Sequence, residues 1–148
     1  LITSQDEDIA LIERLLQAMH DSRVDFTSFF RRLGSIKVNA PIEQISLRND
    51  FIDRDLIDQW FGDYVARLLR ESSNDLERQK TMNQVNPKYV LRNHLAQFAI
   101  ERAQKKDFSE ITKLLNILNK PFDEQVDHES YALAPPPNLD AVEVSCSS

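Results

Sequence analysis

Three observations predict an all-α fold. Apolar residues recur three and four positions apart through most of the 148 residues, and each run is bounded by residues that start or stop helices. Only two glycines, Gly34 and Gly62, are present. The one alternation of apolar and polar residues, Ala141-Val142-Glu143-Val144, is too short to make a sheet by itself. The expectation is an irregular helical domain of about six or seven helices over 1–120. An acidic, proline-containing loop and extended tail follow over 121–148.

Ser4 followed by Glu7 is a capping-box pattern, and Ile9, Ile12, Leu16 and Met19 lie on one face of a first helix from about Gln5 to His20. Asp25 is a suitable N-cap for a second helix with an aromatic stripe of Phe26, Phe29, Phe30 and Leu33. Gly34 stands where a helix end favours positive φ. Pro41 suits the first turn of a short third helix carrying Ile42 and Ile45. Asp53 caps a longer one, with Leu56, Trp60, Tyr64 and Leu68 in one row and Phe61, Val65 and Leu69 beside it. Trp60 reads as a packing anchor rather than a ligand-stacking residue.

Ser72-Ser73-Asn74-Asp75 breaks the pattern and caps a short helix toward Met82. Asn86 as N-cap with Pro87 at the first helical position predicts a helix to Lys106, its apolar face made of Val90, Leu91, Leu95, Phe98, Ala99 and Ala103. Ser109 caps a last helix with Ile111, Leu114, Leu115 and Leu118, which Pro121 stops.

Composition narrows the chemistry. At 41% hydrophobic residues the chain is long enough to bury a sizeable core. With two glycines it carries neither a dinucleotide fingerprint nor a P-loop, so no cofactor-binding residue is assigned. The net charge of −6 disfavours nucleic acid. No apolar run approaches the roughly 20 residues that span a bilayer, so no membrane partner is expected. A single cysteine argues against a disulfide-stapled secreted module. The chain begins with Leu1 rather than Met and reads as an excised part of a longer protein.

Charge is uneven. Residues 87–120 carry 7 basic and 3 acidic groups, and 121–148 carry none and 6. The acidic tail could therefore lie back along the basic stretch, although mixed charge on exposed helix faces is the simpler reading.

Few residues suggest catalysis. His20, His94 and His128 fall in different elements, and none has a second ligand at metal spacing. Asp6-Glu7-Asp8 and the group Asp53, Asp55 and Asp58 suit the positive ends of helix dipoles. Lys88, Tyr89 and Arg92 could hold an anion, but salt bridges to neighbouring acids are the favoured reading. Cys146, third from the end, has no partner thiol and no cationic neighbour to activate it, so it is either a bystander or a redox group whose partner lies elsewhere.

The run Met82-Asn83-Gln84-Val85-Asn86-Pro87-Lys88-Tyr89-Val90-Leu91-Arg92-Asn93 is distinctive. So are Asp107-Phe108-Ser109-Glu110, Pro121-Phe122-Asp123-Glu124-Gln125 and the ending Val144-Ser145-Cys146-Ser147-Ser148. Together they resemble the C-terminal part of the SelO family, called YdiU in bacteria. Asp25-Phe26-Thr27, Phe30-Arg31-Arg32-Leu33, Trp60, Tyr64 and Arg67 extend the likeness over nearly the whole chain.

The resemblance implies a protein adenylyltransferase on a pseudokinase fold. Such an enzyme moves AMP from ATP, with Mg or Mn, onto Ser, Thr or Tyr hydroxyls of proteins, and UMP transfer is also associated with bacterial members. Nucleotide and metal sites belong to a kinase-like core upstream of the matched region, which would be this chain's partner. The chain alone is then expected to be inactive, with no catalytic, cofactor or metal residue of its own. Cys146 corresponds to the family's selenocysteine or cysteine, which implies a redox link to that core. A bacterial member would be cytoplasmic and a eukaryotic one mitochondrial. The alternative is an autonomous helical interaction module that binds a partner protein through Phe26, Phe29 and Phe30 or through the basic stretch 88–106.

Overall fold

The structure, a computed structural model, describes Leu1 and residues 7–135. Among these residues every regular element is helical, as expected: six α-helices and three 3-10 segments. The chain divides into two units, Leu1–Gln84 and a second that begins at Val85.

The first unit contains α1 (Asp8–Ser22), α2 (Phe26–Leu33), 3-10 turns at Ile42–Gln44 and Ser46–Asp50, α3 (Arg54–Arg70) and α4 (Asp75–Val85). Side-chain caps start three of the helices. Asp25 Oδ1 accepts from the Ser28 amide at 2.8 Å, and Asp53 Oδ1 from the Leu56 amide at 2.9 Å. Asn74 Oδ1 takes the amides of Leu76 and Glu77. Each satisfies a donor that the first helical turn leaves open.

α1 lies against α3, and α3 also meets both 3-10 turns. Phe29, Ile57, Phe61 and Leu68 are wholly buried, each contributing about 1.5–3 kcal/mol relative to exposure. Trp60 is the packing anchor the sequence suggests. Its indole N–H donates to the Leu11 carbonyl at 2.8 Å, and its ring stacks on Tyr64 with centroids 5.1 Å apart. Two members of the predicted α3 rows, Leu56 and Leu69, are exposed instead.

α1 departs from expectation in its rotation. The buried residues are Leu11, Leu15, Ala18 and Met19, whereas Ile9, Ile12 and Leu16 face outward. The cause is ionic. Arg67 on α3 is 1% exposed, donating Nε to Asp8 Oδ1 at 2.7 Å and Nη1 to Glu71 Oε2 at 3.0 Å. Burying Asp8 beside Arg67 turns the Leu11 and Leu15 row inward. Ser4 and Gln5, the predicted start of this helix, lie outside the described residues.

Gly34 has φ −59°, not the left-handed value expected of it. Its use is close approach, since a Cβ there would stand 3.2 Å from Met82 Cβ. Among the described residues the left-handed positions are Arg23, Ser72 and Lys106, the first two just past the ends of α1 and α3 and the third just past a helix that ends at Gln104. Pro41 is extended and precedes the first 3-10 turn rather than sitting within a helical turn.

The second unit contains α5 (Asn93–Gln104), packed on α6 (Ser109–Leu118), and a 3-10 segment, Val126–Ala132, kinked at His128. Asn86 and Pro87 do not begin a helix. α4 continues to Val85, and residues 86–92 are non-helical because the amides of Lys88 and Tyr89 both donate to the Pro121 carbonyl, at 2.8 and 3.1 Å. α5 buries only Ala99 of its predicted face, leaving Leu91 and Phe98 exposed. At α6, Asp107 caps in place of Ser109, accepting the Ser109 amide at 3.0 Å. Glu110, Leu114 and Ile117 are its buried face, while Ile111 and Leu115 point outward.

Two measurements check this packing. Trp60→Phe removes the indole donor but keeps most of the ring, and urea denaturation should show a loss of about 1 kcal/mol. Burial pushes the Tyr64 phenol up to about 12, with Arg78 opposing and Glu71 reinforcing the shift. The unfolded phenol titrates near 10, so Tyr64's contribution is complete below about pH 10 and lost as pH rises through about 12. Stability should fall less steeply across that window in Tyr64→Phe.

Candidate functional site

The second unit brings together most of the polar side chains that could serve a ligand. Tyr89, 1% exposed, donates its hydroxyl to the Gln125 carbonyl at 3.0 Å and accepts the Gln125 amide at 3.3 Å. Gln125 in turn donates Nε2 to the carbonyls of Ile117 and Lys120, at 3.1 and 2.9 Å. Residues 86–92, the end of α6 and the following loop are thereby tied at one point.

Lys88 Nζ contacts Glu124 at 2.5 Å and Glu129 at 2.6 Å. Burial works to lower its pKa, but the hydrogen bonds to the two carboxylates prevail and raise it. Arg92 reaches the Ala132 carbonyl at 3.4 Å. Of the predicted trio, Lys88 makes the salt bridges the sequence favours, while Tyr89 and Arg92 bond to backbone groups. These contacts also lay the acidic segment after Pro121 against a basic residue.

Beside this knot lies an open cavity of about 430 Å³, lined by His94, Leu95, Phe98, Glu110, Tyr131 and Leu133 among others. Glu110 is 4% exposed and accepts from the Tyr131 hydroxyl at 2.6 Å, with Lys113 Nζ at 4.0 Å. Burial first, then the bond to Glu110, raises the Tyr131 pKa. His94 Nδ1 is buried without a hydrogen-bond partner, and burial together with the Arg92 charge lowers the pKa of its ring. The cavity therefore offers apolar walls, the His94 imidazole, and a Glu110 side chain already held by the Tyr131 phenol. That arrangement suits contact with an apolar group better than proton or group transfer.

The other sequence candidates are dispersed. His20 is exposed on α1, and His128 sits edge-on to Tyr131 with ring centroids 5.9 Å apart. Among the described residues no three His, Cys, Asp or Glu side chains converge as metal ligands. Asp6 lies outside the described residues, Glu7 pairs with Arg70 at 3.0 Å, and Asp8 holds Arg67. The acidic run is therefore more than a dipole partner. Asp53 is a cap and Asp58 pairs with Arg48.

Of the aromatic stripe, Phe29 is buried, Phe30 half-buried and Phe26 59% exposed. Arg102, in the basic stretch, binds Asp107. Cys146 lies outside the described residues.

Three charged residues, Arg67, Arg78 and Glu110, are buried without any such expectation from the sequence. Arg67 shares a helix face with Trp60 and Tyr64, and Glu110 stands four and seven positions before Leu114 and Ile117. For these two, a charged residue in an apolar row was the available signal.

The described residues are thus helical throughout their regular elements, with the polar side chains of the second unit tied into this knot. The family model for the protein adenylyltransferase SelO matches residues 2–119, and the chain belongs to that family. It is 51% identical over all 148 residues to a protein nucleotidyltransferase YdiU of Burkholderia multivorans, covering 28% of that protein. It is 50% identical over 148 residues to the protein of the same name from Herminiimonas arsenicoxydans, covering 30%. The chain thus spans less than a third of the length of these curated relatives.

Tyr89→Phe should cost about 1 kcal/mol by removing the hydroxyl that joins the two backbone groups of Gln125. Chemical denaturation followed by hydrogen exchange at residues 117–125 checks both the size and the location of the effect.

Proposed function

We propose that this chain is the C-terminal helical part of a SelO/YdiU-type protein adenylyltransferase, serving a structural and regulatory role. The observation that carries this reading is 51% identity along the entire chain to a protein nucleotidyltransferase of which it forms 28%. The parent would be a pseudokinase-fold enzyme that uses ATP with Mg or Mn. It moves AMP onto a Ser, Thr or Tyr hydroxyl of a protein substrate and releases pyrophosphate; UMP transfer from UTP is the variant chemistry. Nucleotide and metal would be held by the kinase-like core outside these residues, on which this chain packs. The bacterial relatives favour a cytoplasmic setting. Among the described residues no helix is long and apolar enough to cross a membrane.

Within this reading Cys146 is one half of a reversible disulfide, its partner thiol lying in the core. Pairing a tail thiol with a core thiol would make the tail an oxidant-responsive latch.

The test uses the full-length parent with labelled ATP or UTP, Mn or Mg, and protein acceptors. Nucleotide should appear on acceptor hydroxyls with the parent and not with the 148-residue chain alone. Cys146→Ser in the parent should abolish the difference in rate between oxidised and reduced enzyme. A parent without transfer activity would sink the reading, and an unchanged redox response would sink the latch.

A further inference from the structure

We propose that the outward apolar stripe of α1, formed by Ile9, Ile12 and Leu16 and continued by Phe26, is a docking surface. Its occupant is the part of the parent polypeptide outside these 148 residues. The inference rests on the reading that the chain is part of a longer enzyme, and it names the face through which the two parts meet.

α1 carries two apolar faces. The inner one, Leu11, Leu15, Ala18 and Met19, fills the core. The outer one leaves Ile9 66%, Ile12 48% and Leu16 43% exposed at spacing i, i+3, i+7. A helix apolar on two sides is one with two neighbours, since a surface helix needs only a single stripe. From Leu16 the surface runs into a groove of about 560 Å³ along Met19, Val24 and the exposed Phe26, with His20 and Arg23 as its polar edge. A contiguous apolar surface of this kind marks an interface.

The exposure is not slack in the helix's rotation. Asp8 to Arg67 at 2.7 Å and the Trp60 indole to the Leu11 carbonyl at 2.8 Å hold the inner face. Glu7 to Arg70 at 3.0 Å and Arg14 to Asp63 at 2.8 Å hold the flanks. Rotating Ile12 inward would break all four. The stripe therefore stays outward unless something covers it.

Length argues for the occupant. The curated relatives carry more than twice as many residues outside the matched segment as within it, ample to build a body against this face. Glu13 stands within the stripe and Arg23 at its far end, so the occupant must bring polar groups to meet them at the rim, while Arg14 is already paired with Asp63.

The test places Ile12→Asp in both the full-length parent and the 148-residue chain. Ile12 is already exposed in the shorter chain, so that chain should melt unchanged, whereas the parent should lose roughly 3 °C or more. Independently, hydroxyl-radical footprinting of the unmutated proteins should show Ile12, Leu16 and Phe26 protected in the parent and reactive in the 148-residue chain.

Equal melting of the mutant and unmutated parent, together with equal footprints, would overturn the proposal. So would a drop in the shorter chain, which would mean that the stripe is covered from within these residues. A concentration-dependent dimer of the parent that Ile12→Asp abolishes would assign the face to a second copy and overturn it as well. A parent inert in nucleotide transfer would refute the functional reading alone, because melting and footprinting score the docking surface without reference to activity.

Discussion

The buried pairing of Arg67 with Asp8 and Glu71 is the constraint on which the first unit depends. A guanidinium 1% exposed loses its hydration almost completely, so its position is tolerable only where carboxylates replace that water. Asp8 meets this need at the start of α1, and Glu71 meets it just past the end of α3. Because the Asp8–Arg67 pair is bidentate, through Nε and Nη2, it sets the rotation of α1 as well as its distance from α3. The Trp60 bond to the Leu11 carbonyl then acts on the next turn of the same helix. Apolar burial supplies most of the stability, and the polar contacts decide which apolar face is buried.

The second unit is organised differently. Few of its large apolar side chains are buried, and its backbone is gathered by hydrogen bonds at Pro121, Tyr89 and Gln125. A non-helical stretch at 86–92 replaces the helical turns that Asn86 and Pro87 invite. Two amides donating to one carbonyl, with a buried phenol bridging the same loop, outweigh the local preference for a helix start. Lys88 paired with Glu124 and Glu129 reinforces that geometry from the solvent side.

The two units share a surplus of apolar surface. Ile9, Ile12 and Leu16 on α1, and Phe108, Ile111 and Leu115 around α6, are exposed on helices that already bury another face. The curated relatives that the chain matches are more than three times as long. The surplus also accounts for the amphipathic patterns that misled the sequence reading: a helix with two apolar stripes has no single periodicity to report.

Much of the local structure is legible in the sequence alone. The absence of strand patterning, the caps at Asp25 and Asp53, the break at 72–75 and the role of Trp60 all follow from residue chemistry acting within a few positions. So does the family likeness in the run 82–93. Tertiary structure alone decided which stripe of α1 faces the core, why Gly34 is small, where α5 begins, and that Arg67 and Glu110 are buried. These outcomes depend on partners far away in the chain: Asp8 is 59 positions from Arg67, and Gln125 is 36 from Tyr89. Local preference states what a segment can form, but the cost of burying a charge or an amide without a partner selects the form it takes.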